Sequence, residues 1–176
     1  MRPFRQSHSR EISNSVDRIV AGLEAANFDK ATTLVLGGSA LALAGIRPTN
    51  DLDLMTTGEN FHVMERTHRT PSGLQVIRKP DAVHAPFLQF YPRNNRESFI
   101  IPIDITFPHD DNFQPHPMLD QQLIEHIATF DSVAGYSYLP PERVAEHKAH
   151  LPRLRHKDRR DIKSINHYLD HQSHHR

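Results

Sequence analysis

Apolar residues recur at Ile12, Val16, Ile19, Val20, Leu23 and Ala26, a helical period that predicts a helix over Arg10 to Asn27, with Ser13 or Ser15 near its start. The pattern then shortens. Thr32 to Leu36 is an apolar run that predicts a strand, Ser39 to Ala44 a small-residue helix after Gly37-Gly38, and Asp51 to Met55 a second strand. Glu59 to His68 predicts a surface helix that ends before a turn at Pro71-Ser72-Gly73. Three short β-rich runs follow, Leu74 to Arg78, Phe87 to Tyr91 and Phe99 to Thr106, bounded by Pro, Asn and Asp.

From His109 to Pro117 the chain is polar and reads as a loop, and Leu119 to Ile127 fits a helix or a strand equally. Val133 to Leu139 predicts an edge strand. Pro140-Pro141-Glu142 then opens a helix to His150, because proline is tolerated in a first helical turn.

Chemistry concentrates between Leu34 and Met55. Side chains alternate across a strand, so Asp51 and Asp53 share one face and Leu52 and Leu54 the other. A strand ending in Gly-Gly lets the backbone approach a ligand closely, and the N–H groups opening the next helix suit an anion such as phosphate. Paired Asp oxygens are hard donors suited to magnesium shared with substrate phosphates. Asp104 lies in the strand-like run FIIPIDITF, where an acid is expensive to bury unless it is paired or on a metal.

These residues resemble the signature of the nucleotidyltransferase superfamily: Gly37-Gly38-Ser39, then about a dozen residues, then Asp51-Leu52-Asp53 at a strand. Arg47, Thr49 and Asn50 between them are similar to the small AbiEii-like and aminoglycoside-nucleotidyltransferase-like branches. A second block, from Pro140 to Ile165, resembles the C-terminal signature of AbiEii-like transferases, with Lys148, Arg155, Lys157, Asp158 and Asp161 at its positions. The resemblance implies an α/β (α+β) fold, a mixed sheet flanked by helices. Residues 1–139 would form the core and 140–176 a helical segment closing the nucleotide cleft, with a polar tail from about 171.

The activity it implies is transfer of an NMP from an NTP to a hydroxyl of an acceptor, which could be RNA such as tRNA, a protein or a small molecule. Asp51, Asp53 and Asp104 would be catalytic and hold Mg2+, two ions with Mn2+ as an alternative. Gly37, Gly38, Ser39, Lys148 and Asp158 would serve the nucleotide phosphates, with Asp158 and Asp161 organising a basic wall. A toxin–antitoxin role with a cognate antitoxin protein is implied by the resemblance alone. Two other readings stay open: a nucleotide-binding protein of this fold without turnover, and a basic RNA-binding module.

Composition narrows the field. The 176 residues suit one domain, and 21 basic against 21 acidic residues give no global bias toward DNA or a membrane surface. The absence of cysteine removes disulfides, thiolate zinc sites and cysteine nucleophiles. The first twenty residues lack an apolar signal core and no run approaches a membrane span, so a soluble, cytoplasmic protein without membrane contact is the expectation.

Locally, Arg143 to Lys163 holds eight Lys or Arg against three acids, the setting for the basic wall or for RNA contact. No P-loop or dinucleotide glycine motif is present. Leu41 stands where a hydrolase elbow needs its second glycine, so Ser39 reads as a phosphate ligand rather than a nucleophile. His147 and His150 lie one helical turn apart, but no third zinc ligand accompanies them.

Overall fold

The computed structural model describes residues 3–74, 76–78, 87–90, 101–109, 116–151 and 153–173. In order these form α1 (Pro3–Ala26), β1 (Thr33–Val35), α2 (Gly37–Leu43), β2 (Leu52–Thr56), α3 (Gly58–Thr67), β3 (Val76–Arg78) and β4 (Leu88–Phe90). Then come β5 (Ile103–Thr106), α4 (Pro117–Ile127), β6 (Ser132–Val133), β7 (Tyr136–Tyr138), α5 (Pro141–Ala149) and α6 (His156–Ser173). The strands make one mixed sheet in the order β3-β4-β5-β2-β1-β7-β6. β2 runs parallel to β5 and β1 parallel to β7, while the other neighbours are antiparallel. The fold class is therefore the expected mixed α/β arrangement.

The two faces of the sheet have different fates. On one, Leu52 and Leu54 of β2 join Leu88, Phe90, Ile103 and Ile105 from the neighbouring strands, and Ile19 and Leu23 of α1 with Phe61 and Met64 of α3 close over them. Burying each such side chain is worth about 1.5–3 kcal/mol. On the other face Leu34 packs on Leu123 and Ile127 of α4, with Met55, Phe130 and Leu139 around them. A third cluster binds α2 to the C-terminal helices through Ala40, Leu41, Val144 and Ile165.

Several elements differ from their sequence expectations. α1 begins at Pro3 rather than Arg10, and α2 takes both glycines into its first turn. Leu119 to Ile127 is helix, opened by Pro117 and pinned by Asp120, whose two carboxylate oxygens accept from the Gly58 N–H at the start of α3 (3.0 Å each).

The expected edge strand Val133 to Leu139 is a hairpin instead. Ala134 (φ 53°) and Gly135 (φ 82°) are both left-handed, the tight turn whose twist suits paired strands. Of its two strands β6 lies at an edge of the sheet, and β7 is interior beside β1. The tail expected from about 171 is helical through Ser173, and residues 174–176 lie outside the described residues. So do the first residues of the run from Phe99 and most of the loop expected after His109. No described helix is long and apolar enough to cross a membrane.

Candidate functional site

The alternation that buries Leu52 and Leu54 leaves Asp53 on the opposite face of β2. The parallel register with β5 sets Asp104 directly beside it. Asp51 stands just ahead of the strand, where its Oδ1 accepts from the Thr49 hydroxyl (2.7 Å). Gly37 (φ 53°) passes so close that a Cβ there would lie 2.5 Å from Asp53 Oδ2. Only glycine meets both demands without strain. The next residue, Gly38, donates its N–H to the same oxygen (3.3 Å).

Burial, reinforced by the charges of Asp51 and then Asp104, pushes the Asp53 carboxyl up to about 6; the Gly38 N–H and Lys157 oppose the rise. Among the described residues neither Asp51 nor Asp53 has an ion pair. The three aspartates predicted as a group are thus neighbours across two strands and a turn.

Ser39 takes a different part from the one expected. Its hydroxyl is fully buried, donates to the Asp51 carbonyl (2.8 Å) and accepts from the Asp53 N–H (3.1 Å). With both directions used, it holds the start of β2 against the glycine turn. A phosphate could meet the turn's backbone here, but the Ser39 side chain is turned to the strand.

Across the cavity from the aspartates, α5 and α6 carry a chain of alternating charges. Lys148 Nζ reaches Asp158 Oδ1 (2.7 Å) and Asp161 Oδ2 (3.1 Å). Arg155 Nε binds Asp158 Oδ2 (2.7 Å), and Arg47 grips Asp161 with two nitrogens (2.6 and 3.0 Å). Arg47 also lies against Gly38, where an added Cβ would meet Nη2 at 2.9 Å. The Arg155 hydrogen bond, joined by Lys148, holds Asp158 well below the usual carboxylate range. Burial alone would raise Asp161, but Arg47 and Lys148 outweigh it and lower that carboxyl too.

Lys148 therefore lines the cavity with its charge already matched by two carboxylates. Asp158, expected among the phosphate-binding residues, is wholly buried and orients Lys148 and Arg155 instead of lining the cavity. The cation on that wall without an ion pair among the described residues is Lys157.

Gly37, Gly38 and the three aspartates open on a cavity of about 950 Å³ that α4 also lines. Leu119, Gln122, Leu123 and His126 face it, residues that no sequence motif singled out. Their spacing is visible in the sequence, but their nearness to Asp53 is set by the tertiary fold. His147 and His150 also line the cavity, on the α5 side.

Among the described residues no three acid or histidine side chains are gathered as a ready metal cage. The donor chemistry nonetheless fits a hard divalent cation: Asp51, Asp53 and Asp104 offer carboxylate oxygens, and positive charge beside Asp53 would reverse the rise of its pKa. Compared with protein-family models and with curated protein sequences, the chain matches none.

Proposed function

We propose that this protein is a magnesium-dependent nucleotidyltransferase that moves an NMP from an NTP to an acceptor hydroxyl. The observation that carries the reading is the β2–β5 register, which sets Asp53 beside Asp104 next to the Gly37-Gly38 turn. Clustered carboxylates, one with its pKa driven up by burial and its neighbours, support that reading because a divalent cation would relieve their repulsion.

In the reaction a bond forms between the acceptor oxygen and the α-phosphorus, and the bond from that phosphorus to the bridging oxygen of pyrophosphate breaks. Asp51 and Asp53, with Asp104, would hold the magnesium, which supplies Lewis-acid stabilisation of the charge that develops on the phosphate oxygens. Asp104 accepts the proton of the attacking hydroxyl. The Gly37-Gly38 backbone can lie against the phosphate chain because it has no side chains to hold it off.

Lys157, facing Asp53 from the other wall, offsets charge on the departing pyrophosphate. Lys148 acts one step back, fixing α6 and hence Lys157. Most of the rate enhancement in such a site comes from position and electrostatics.

The experiment is calorimetric titration of each NTP with magnesium into the protein and into Asp53→Ala. Binding that needs both magnesium and Asp53 supports the proposal and justifies a labelled-NTP transfer screen over tRNA, proteins and small molecules. Binding that persists unchanged in Asp53→Ala sinks it.

A further inference from the structure

The cavity has two chemically unlike linings. In one stand the aspartates and the glycine turn. In the other, α4 presents Leu119, Gln122, Leu123 and His126, the i, i+3, i+4, i+7 spacing that puts four side chains on one helical stripe. Leu36 and Leu139 extend this apolar bed from the sheet side.

Gln122 and His126 are exposed, so a polar rim borders the buried Leu123. The His126 ring lies on Phe130 with centroids 5.6 Å apart and planes within 9°, which fixes its orientation. The helix itself is held at both ends: Asp120 accepts from the Gly58 N–H, and the Ser137 hydroxyl donates to the Ile127 carbonyl (2.7 Å).

A phosphate chain has no apolar surface to bury on such a bed. A flat heterocycle does, and its edge has groups for an amide and an imidazole to meet. Resting on the nucleotide reading above, the geometry points to α4 as the nucleobase wall. Leu119 and Leu123 lie under the ring's face, and Gln122 and His126 read its edge. The base is tethered to the triphosphate, so one ligand touches both linings of a cavity whose size is ordinary for a nucleotide. α4 is then the specificity element of the site.

The test is calorimetry on the full chain with magnesium, comparing inorganic tripolyphosphate with ATP, GTP, CTP and UTP. At least one NTP is expected to bind roughly ten- to hundredfold tighter than tripolyphosphate, the scale of burying a flat ring and pairing its edge. The double variant Gln122→Ala, His126→Ala should bring that NTP close to tripolyphosphate and flatten the preference among bases. Tripolyphosphate affinity should not change, which also shows that the variant is folded.

If tripolyphosphate and all four NTPs bind alike, or the double variant keeps the base preference, the α4 assignment is overturned while the phosphate and metal lining stands. If neither tripolyphosphate nor any NTP binds, the nucleotide reading falls and this inference falls with it.

Discussion

Asp53 lines the cavity and Asp158 is buried behind the Lys148 and Arg155 side chains that line it, and the fold treats the two acids in opposite ways. Around Asp53 the neighbouring charges are two more carboxylates, and its carboxyl is pushed up to about 6. Around Asp158 they are Lys148 and Arg155, and its carboxyl is held far down. The basic wall is electrostatically finished, each buried acid having its cation within 3.1 Å. On the acidic wall neither Asp51 nor Asp53 has an ion pair among the described residues. The buried, paired acids Asp158 and Asp161 brace the wall, while the half-buried Asp51, Asp53 and Asp104 are gathered beside one another, the arrangement on which the proposed cation site rests.

The sharpest way to break this contrast is to unfinish the finished wall. Lys148→Met leaves Asp161 with Arg47 and Asp158 with the largely exposed Arg155, and loses two charged hydrogen bonds, for an expected loss of about 3 kcal/mol in urea titration. The same wall sets an acid limit. Asp158 and Asp161 have folded pKa values below their unfolded ones, so they stabilise above about pH 4 and that contribution is lost as pH falls further. Thermal melts from pH 5 to 2 should show the loss, blunted in Asp158→Asn.

Asp53→Asn should act with the opposite sign. The folded pKa is raised, so ionised Asp53 destabilises the cation-free protein as pH rises from about 4 through about 6. The variant should gain up to about 3 kcal/mol at pH 7.5 in chelator, a gain that disappears near pH 4. Denaturant titrations at the two pH values check it, and a uniform change at both would contradict the account.

Arg47→Lys keeps the charge but loses the two-pronged grip on Asp161, for an expected loss of about 1–2 kcal/mol. At the small end, Arg143→Ala removes an exposed pair with Glu146 and should change stability by less than about 0.5 kcal/mol. A loss as large as that of Arg47→Lys would erase the distinction between the buried network and the surface.

Local pattern carried much of this to the surface of the sequence. The alternation Asp51-Leu52-Asp53-Leu54 needed no partner to reveal one buried and one acidic face, and the helical period of Ile12 to Leu23 survives in Ile19 and Leu23 of the core. What depended on distant residues was hidden. The hydroxyl of Ser39 could be read as a phosphate ligand until the carbonyl of Asp51 and the N–H of Asp53 folded onto it.

The hairpin at Ala134-Gly135 was masked because alanine is an unusual left-handed residue, leaving Gly135 as the lone turn signal. α4 was ambiguous because an eleven-residue segment with Leu123 and Ile127 inward suits either period, and its place beside the aspartates is a matter of topology. Lys148 was visible as a helix lysine; the two acids that match it were visible too, but not that they close on it.

Arg47 and Asp161 are separated by 114 residues, nearly two thirds of the chain. Closing so long a loop is entropically unfavourable until the sheet and α2 have already brought its ends together. Within the basic wall the Arg47–Asp161 bond is therefore expected to form after the local Lys148–Asp158 and Arg155–Asp158 pairs, and to be the one that ties α6 to the sheet. Amide hydrogen exchange would register this as α6 opening at a lower free energy than β1, β2 and β5. A single clamp would then separate a labile wall of the cavity from acid-bearing strands that stay in place beneath it.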